Sequence, residues 1–227
     1  MGVTTTAEII SFAESLIGET LSATLAVNLA NHAKDLIESD REWSFLIKED
    51  ATKTRTQADT YLTAKALPTD FVSDYKVILG DATLKDFIEY QSVPFHLRRK
   101  FNDINCYYID YANSNLYVAG TVDKTYTIYL YYIFQTPALD TSSENPVWPV
   151  RFRKLISFLM AKLYLSGIDY DEITARQAVA DNTEAKMLYD SMCEWDSRLK
   201  QKQLNGRTGF SGDMDTFRTD RVDKTNL

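Results

Sequence analysis

The stretch at residues 145–167, NPVWPVRFRKLISFLMAKLYLSG, constrains the fold of this chain more than any other. Its apolar residues recur three and four positions apart, at Phe152, Leu155, Ile156, Leu159, Met160 and Leu163. This spacing predicts an amphipathic helix with one broad buried face. Asn145 is the predicted N-cap, two prolines suit the first turn, and Gly167 is the predicted end. Because a β-like run precedes this helix and another helical segment follows it, we expect it to return the chain to a helical body.

Helical patterns also open the chain. Thr5 and Glu8 have the spacing of a capping box and predict a short helix that Gly18 ends. A longer helix is predicted at about residues 20–47, with Trp43 near its end as a core anchor.

The middle of the chain is β-like. The threonine-rich residues 49–64 predict the exposed strands of a hairpin, and Pro68 predicts a turn at residues 67–71. Ten of the fourteen tyrosines lie between Tyr75 and Phe134, which predicts several strands there. The last of these strands, at residues 125–134, carries aromatic side chains on both faces. It is therefore predicted to be central, or to lie between a core and a partner.

Two further segments follow the stretch at 145–167. A repeat of apolar residues every seven positions, at Ala178, Ala185, Met192 and Leu199 and at Leu188 and Trp195, predicts a helix that packs on the Phe152–Leu163 face or on a neighbouring subunit. Residues 205–227 show no periodicity. They form either a disordered tail or an arm that becomes ordered on a partner.

Together these patterns predict an α+β fold. Its predicted basis is an α-helical bundle of N-terminal helices plus two long C-terminal helices, with an inserted antiparallel β-sheet or barrel-like domain and an extended C-terminal arm. The predicted domains are residues 1–48 with 145–204 for the bundle, 49–144 for the β-rich insertion and 205–227 for the arm.

The bulk composition excludes several classes of protein. The formal net charge of −7 argues against general attraction to nucleic acid or to an anionic membrane. We expect no membrane span and no signal peptide, because no apolar run is long enough and the N-terminus lacks a basic region. Cys106 and Cys193 are expected to be free thiols.

A search for catalytic or metal-binding patterns gives no candidate. His32 and His96 have no metal ligand at a suitable spacing on their own segments, so no metal, cofactor or enzymatic activity is expected. Two basic clusters remain, one with Arg98, Arg99 and Lys100 and one with Arg151 and Arg153. Each is either an ordinary solvated face or a contact for phosphates or an acidic partner.

The order of these features resembles the head-to-tail adaptor, or connector, proteins of tailed bacteriophages. The resemblance rests on a helix pair that ends in Trp43–Leu46, the turn Leu67–Phe71, a β block that closes with Tyr129–Gln135 and exits at Thr136-Pro137, and the Pro-initiated helix that holds Phe152. It covers most of residues 8–202, and the Leu-Pro-x-Asp-Phe turn is its most specific part.

The resemblance implies a structural virion protein of the head-to-tail junction, or neck, made in the cytoplasm of the host bacterium. Such proteins form a homo-oligomeric ring, usually of twelve copies, under the portal protein. The ring extends the channel through which genomic DNA leaves during ejection, without sequence-specific binding, and gives tail or nozzle proteins a docking surface. No membrane is involved.

The resemblance also assigns roles to individual residues. The portal-binding arm would hold Phe210, Met214, Phe217, Arg218 and Arg221. A tail or subunit interface would include Tyr107, Tyr129 and Tyr131. Contacts to DNA or to an acidic partner would come from Arg98, Arg99, Lys100, Arg151 and Arg153.

Two other classes of function stay open. A nucleic-acid-binding module would bind DNA in a steeply salt-dependent way through Arg98, Arg99 and Lys100, which the net charge argues against. A ligand-binding β-barrel would hold a dry aromatic cavity between the strands of residues 75–134.

Overall fold

The computed structural model describes residues 3–81, 87–101, 104–141, 145–166, 177 and 179–207, with residues 202–207 as backbone only. Within these ranges the helices are α1 (Thr6–Ile17), α2 (Ala23–Asp40), α3 (Lys154–Ser166) and α4 (Thr183–Arg207). The strands are β1 (Ile47–Arg55), β2 (Lys65–Ala66), β3 (Phe71–Gly80), β4 (Phe87–Ser92), β5 (Cys106–Asp110), β6 (Asn115–Val118) and β7 (Tyr126–Phe134). Short 3₁₀ helices lie at Ser44–Leu46, Phe95–Leu97 and Val150–Phe152. No helix in the described ranges is long and apolar enough to cross a membrane.

Helix α3 is the centre of the helical layer. It packs against both α1 and α2, and its predicted apolar stripe is buried, which confirms that part of the prediction. The buried Ser157 hydroxyl donates to the Ile9 carbonyl of α1 at 2.7 Å. Helix α3 thus holds both N-terminal helices in place.

The predicted start of α3 is wrong. Asn145 does not cap this helix, because its side-chain oxygen accepts from the backbone N–H of Thr6 at the start of α1, at 3.0 Å. The chain then makes a 3₁₀ turn at Val150–Phe152 before α3 begins at Lys154. The predicted stop at Gly167 lies outside the described residues.

The capping box of α1 is confirmed, but the predicted end of α2 is wrong. Thr5 and Glu8 exchange both bonds of the box, and Gly18 ends α1 in a left-handed conformation. Helix α2 ends at Asp40, and Trp43 has an extended backbone instead of a helical one. The burial of Trp43 explains this end. Its indole N–H donates to the carbonyl of Ile37 in α2 at 2.6 Å, and this bond holds the chain after Asp40 back against the helix.

The strands form one sheet in the order β1-β7-β3-β4-β5-β6-β2. All pairs are antiparallel except β4 with β5, so the sheet is mixed. Strand β7 pairs with β1 on one side and with β3 on the other, which confirms its predicted central position. The five residues that share one face of β7 are all buried: Tyr126, Ile128, Leu130, Tyr132 and Phe134.

The predicted hairpin at residues 49–64 is wrong. Strand β1 pairs with β7, whereas β2 pairs with β6 at the opposite end of the strand order. The predicted turn before β3 is confirmed, since the Phe71 N–H donates to the Pro68 carbonyl at 3.2 Å.

The sheet curls until its two ends approach each other. Arg55, the last residue of β1, donates through Nη2 to the carbonyl oxygen of Gly120, which follows β6, at 2.8 Å. Because β1 and β6 lie near opposite ends of the strand order, this bond ties the sheet into a nearly closed barrel.

The predicted fold class, a helical bundle that carries an inserted sheet, is therefore wrong. The protein is α+β, but one continuous apolar core includes Leu29 of α2, Leu155 of α3 and Leu130 of β7. An apolar sheet face must be covered, and here the helices and the curled sheet cover one core jointly. The sequence-based domain limits stay a prediction.

Helix α4 packs as its heptad spacing predicts. Ala185 and Met192 are buried, and Trp195 lies with its ring centroid 5.6 Å from that of Phe152. Ala178 lies outside the described residues.

Replacing Gly120 with alanine is expected to destabilise the closed sheet. Gly120 has φ +82°, and a Cβ there would lie 2.5 Å from Asn105 Oδ1 and 3.2 Å from the Ile104 carbonyl oxygen. Gly18 has a similar φ of +87° but no atom within 4 Å of the corresponding position, so Gly18→Ala is the matched control. We expect a loss of about 2–3 kcal/mol for Gly120→Ala and about 1 kcal/mol for Gly18→Ala in urea unfolding. Equal losses would mean that the segment at 104–105 moves away without cost.

Candidate interaction surfaces

A groove open to solvent lies on the helical layer. We name it the helical-face groove, and its volume is about 350 Å³. It is lined by Arg151, Phe152, Leu188, Ser191, Glu194, Trp195 and Arg198. The groove lies between the 3₁₀ helix that precedes α3 and the middle of α4.

An arginine and two aromatic rings form the floor of this groove. The exposed Arg151 guanidinium lies 4.5 Å from the centroid of Phe152 and 5.1 Å from that of Trp195. Trp195 is half-buried, with Phe45 behind it at a centroid distance of 6.3 Å. Rigid aromatic and arginine side chains of this kind supply much of the binding energy at protein interfaces.

The second basic cluster is divided by the fold. Arg151 faces the groove, whereas Arg153 donates from Nε to the Trp148 carbonyl at 3.0 Å and from Nη1 to the Thr4 carbonyl. Burial lowers the pKa of Arg153. The Arg153 side chain therefore ties the start of α3 to the N-terminus.

The first basic cluster lies on the outer side of the sheet. Arg98 is half-buried and lies 3.9 Å from the centroid of Phe95, whereas Arg99 and Lys100 are exposed. The chain here covers a small outer core that includes Cys106 and Tyr108, where Tyr108 donates to the Arg98 carbonyl at 3.1 Å. Both cysteines of the chain are free, as expected.

The three tyrosines assigned to an interface differ in exposure. Tyr107 is buried on the inner face and donates to Asp74 at 2.6 Å, and burial followed by this carboxylate raises its pKa. Tyr129 is buried and donates to the Asp81 carbonyl at 3.1 Å, whereas Tyr131 is half-buried. Of the three, Tyr131 presents the most surface to a partner. Phe210, Met214, Phe217, Arg218 and Arg221, the predicted arm residues, lie outside the described residues.

Sequence reasoning missed two buried polar networks. Asp196 of α4 is fully buried and accepts from the backbone N–H and the hydroxyl of Ser44, at 2.7 and 2.6 Å. Its second oxygen lies 3.1 Å from Lys200 Nζ and 3.5 Å from Arg41 Nη2. This network fastens α4 to the segment that follows α2.

The second network lies beside a cleft of about 380 Å³ next to α2. Glu38 accepts from the Thr136 hydroxyl at 2.6 Å and from the Trp148 indole at 2.7 Å. Burial raises the pKa of Glu38 despite these bonds. Lys34 is buried and donates to Thr136 at 2.7 Å. Only the i, i+4 spacing of Lys34 and Glu38 pointed to this pair in the sequence.

No group of three potential metal ligands occurs in the described part of the chain. His32 lies in α2 and His96 is exposed beside the first basic cluster. Comparison with known proteins gives no match: no family model and no curated protein is similar to the chain. The proposal of a function therefore rests on the order of features along the sequence and on the surfaces described above.

Proposed function

We propose that this chain is a head-to-tail adaptor of a tailed bacteriophage. In this proposal it assembles as a ring under the portal, extends the DNA channel and provides the platform for tail attachment. The order of its helices, turn and strands along the sequence, given above, is the first support.

The helical-face groove is the observation that carries the proposal. Its exposed arginine over two aromatic rings is a surface suited to a protein partner, because arginine and aromatic side chains are enriched among the residues that contribute most to binding energy at interfaces. The groove is shallow and opens towards solvent, which fits docking of a protein segment better than enclosure of a small molecule.

The edge of the sheet favours side-chain contacts between subunits over strand addition. Strand β1 carries Lys48, Glu49 and Lys53 and has an irregularity in register between Asp50 and Lys53. Charges and bulges on an edge strand oppose pairing with another chain. A closed ring built through the helical layer is consistent with this protected edge.

The position of α4 suits the proposed arm. The helix is described to Arg207, and residues 208–227 follow it. A segment of twenty residues can span up to about 70 Å when it is extended. In the proposal it reaches along the portal through Phe210, Met214 and Phe217. The net charge of −7 favours a channel in which DNA slides without adhering.

Binding to portal rings from the same genome tests this function. Purified protein is mixed with portal rings, and the complexes are examined by negative-stain imaging and quantified by co-sedimentation. The variants are Arg151→Glu in the groove, Arg99→Glu on the outer side of the sheet as the control of equal charge change, and a chain that ends at residue 207. Circular dichroism checks that each variant folds.

We expect an added ring of density under the portal for the wild type and for Arg99→Glu. Arg151→Glu should weaken the association by about tenfold or more, as expected for a central interface arginine. If the chain that ends at residue 207 forms no ring under the portal, the arm is the segment that attaches the protein to the portal. If that chain still forms the ring, the helical-face groove is the attachment surface. Bare portals beside free wild-type protein would contradict the proposed function.

A further inference from the structure

Arg55 is a buried cation that no carboxylate balances among the residues that the structure describes. Only 3% of its surface is exposed, and its Nη2 group donates to the Gly120 carbonyl at 2.8 Å. Its Nε and Nη1 groups have no hydrogen-bond partner. No ion pair among the described residues includes Arg55, although carboxylates pair with other cations along β1.

Tyr90 is a second buried donor without a partner. It is 3% exposed, and its hydroxyl makes no hydrogen bond. Burial raises the pKa of Tyr90, and the charge of Arg55 opposes part of this effect.

The strand register puts both side chains on the inner face of the curled sheet. Arg55 is paired with Tyr126, whose side chain lies on the same face as that of Leu130, four residues along β7. Leu130 is paired with Val77 of β3, and Val77 is paired with Tyr90 of β4. Directly paired residues of antiparallel strands share a face, so Arg55 and Tyr90 both face the apolar interior.

The chemistry of these groups requires an acceptor with negative charge. Arginine stays protonated in proteins, whereas a buried lysine can lose its proton. An isolated buried charge is strongly unfavourable unless an opposite charge or hydrogen bonds compensate for it. Nε and Nη1 of Arg55 and the hydroxyl of Tyr90 are three donor groups without a partner, and no ion pair with a carboxylate among the described residues involves them.

We propose that a small monovalent inorganic anion, such as chloride, binds between Arg55 and Tyr90 on the inner face of the sheet. The anion neutralises the guanidinium and accepts from the donors that the protein leaves unpaired. It stabilises the closed form of the sheet, because the same guanidinium donates to the Gly120 carbonyl and so connects the end of β1 to the residue after β6. This site is independent of the proposed adaptor function.

Thermal unfolding in two salts tests the site. The midpoint temperature of unfolding is measured in sodium chloride and in sodium gluconate at equal ionic strength, so that the screening of charges by salt is the same in both. Gluconate is too large for a buried site of this kind. We expect chloride to raise the midpoint by about 5 °C at saturation, by preferential binding to the folded state. Bromide is the second probe, and crystals grown in it should give an anomalous peak beside the Arg55 guanidinium.

Variants on β1 and β4 assign the effect to the site. Arg55→Met should reduce the chloride effect to about 1 °C or less, because the charge that binds the anion is gone. Lys48→Met removes an exposed cation from the same strand and should keep the full effect. If Arg55→Met does not fold, Tyr90→Phe removes one donor and should reduce the bromide peak and the chloride effect. An equal chloride effect in Arg55→Met, or no effect in the wild type together with a water molecule at the guanidinium, would overturn the proposal.

Discussion

Trp43→Ala is expected to lower the free energy of unfolding by about 3–5 kcal/mol, the range for removing a large aromatic side chain from a core. Trp43 is fully buried, and its ring lies 5.6 Å from Phe45 and 6.5 Å from Tyr189, measured between centroids. The substitution also removes the indole donor from the Ile37 carbonyl. Its effect should exceed that of an ordinary core change because Trp43 connects α2, the 3₁₀ turn after it and α4.

Urea unfolding followed by circular dichroism measures this loss. Phe87→Ala is the control, since Phe87 is 58% exposed and its removal should cost about 0.5 kcal/mol or less. A Trp43→Ala protein that loses less than about 1 kcal/mol would contradict the view that this residue fixes the end of α2. A large loss of unfolding free energy with an unchanged slope of that free energy against urea concentration would support it. The unchanged slope would mean that the same amount of surface is exposed on unfolding.

Asp196→Asn is expected to cost about 2–4 kcal/mol, although it changes only one atom of the side chain. The asparagine oxygen still accepts from Ser44, but its amide group faces Lys200 and Arg41, which are donors themselves. Two cations would then lie beside a neutral, fully buried group. The contact between α4 and the 3₁₀ turn that begins at Ser44 would be weakened.

The control for this change is Asp190→Asn on the same helix. Asp190 is exposed, so the same loss of one negative charge should change the stability by about 0.5 kcal/mol or less. Both variants are compared by urea unfolding at neutral pH. A loss in Asp196→Asn no larger than in Asp190→Asn would show that the buried carboxylate contributes nothing beyond its charge.

Local patterns were sufficient to predict the elements whose signals are local. The stripe from Phe152 to Leu163, the capping box at Thr5 and the turn at Pro68 each depend on residues within a few positions of one another. Alternation along β7 also showed which of its side chains share a face, although it did not show which of the two faces is the inner one.

Strand partners and helix ends were missed where they depend on distant residues. Alternating threonines at 49–64 indicate a strand but not its partner, and β1 pairs with β7, more than 70 residues away. Asn145 has the chemistry of a cap, but the sequence does not show that the N–H it satisfies belongs to Thr6.

The candidate sites were hidden for the same reason. Arg55 and Asp196 look like ordinary surface charges in the sequence, since each lies in a polar segment. Their burial arises only when the sheet curls and α4 docks. Arg151 and Arg153 have nearly identical sequence settings, yet one faces the groove and the other holds the N-terminus.

The packing of α1 and α2 on α3 has a consequence for synthesis of the protein. Helices α1 and α2 leave the ribosome before α3, and the surface of α3 that covers them is encoded more than 110 residues later. At about 5–20 residues per second, they wait on the order of ten seconds for α3. During that interval their apolar faces are available to chaperones, and the core is complete only after α3 and α4 have been made.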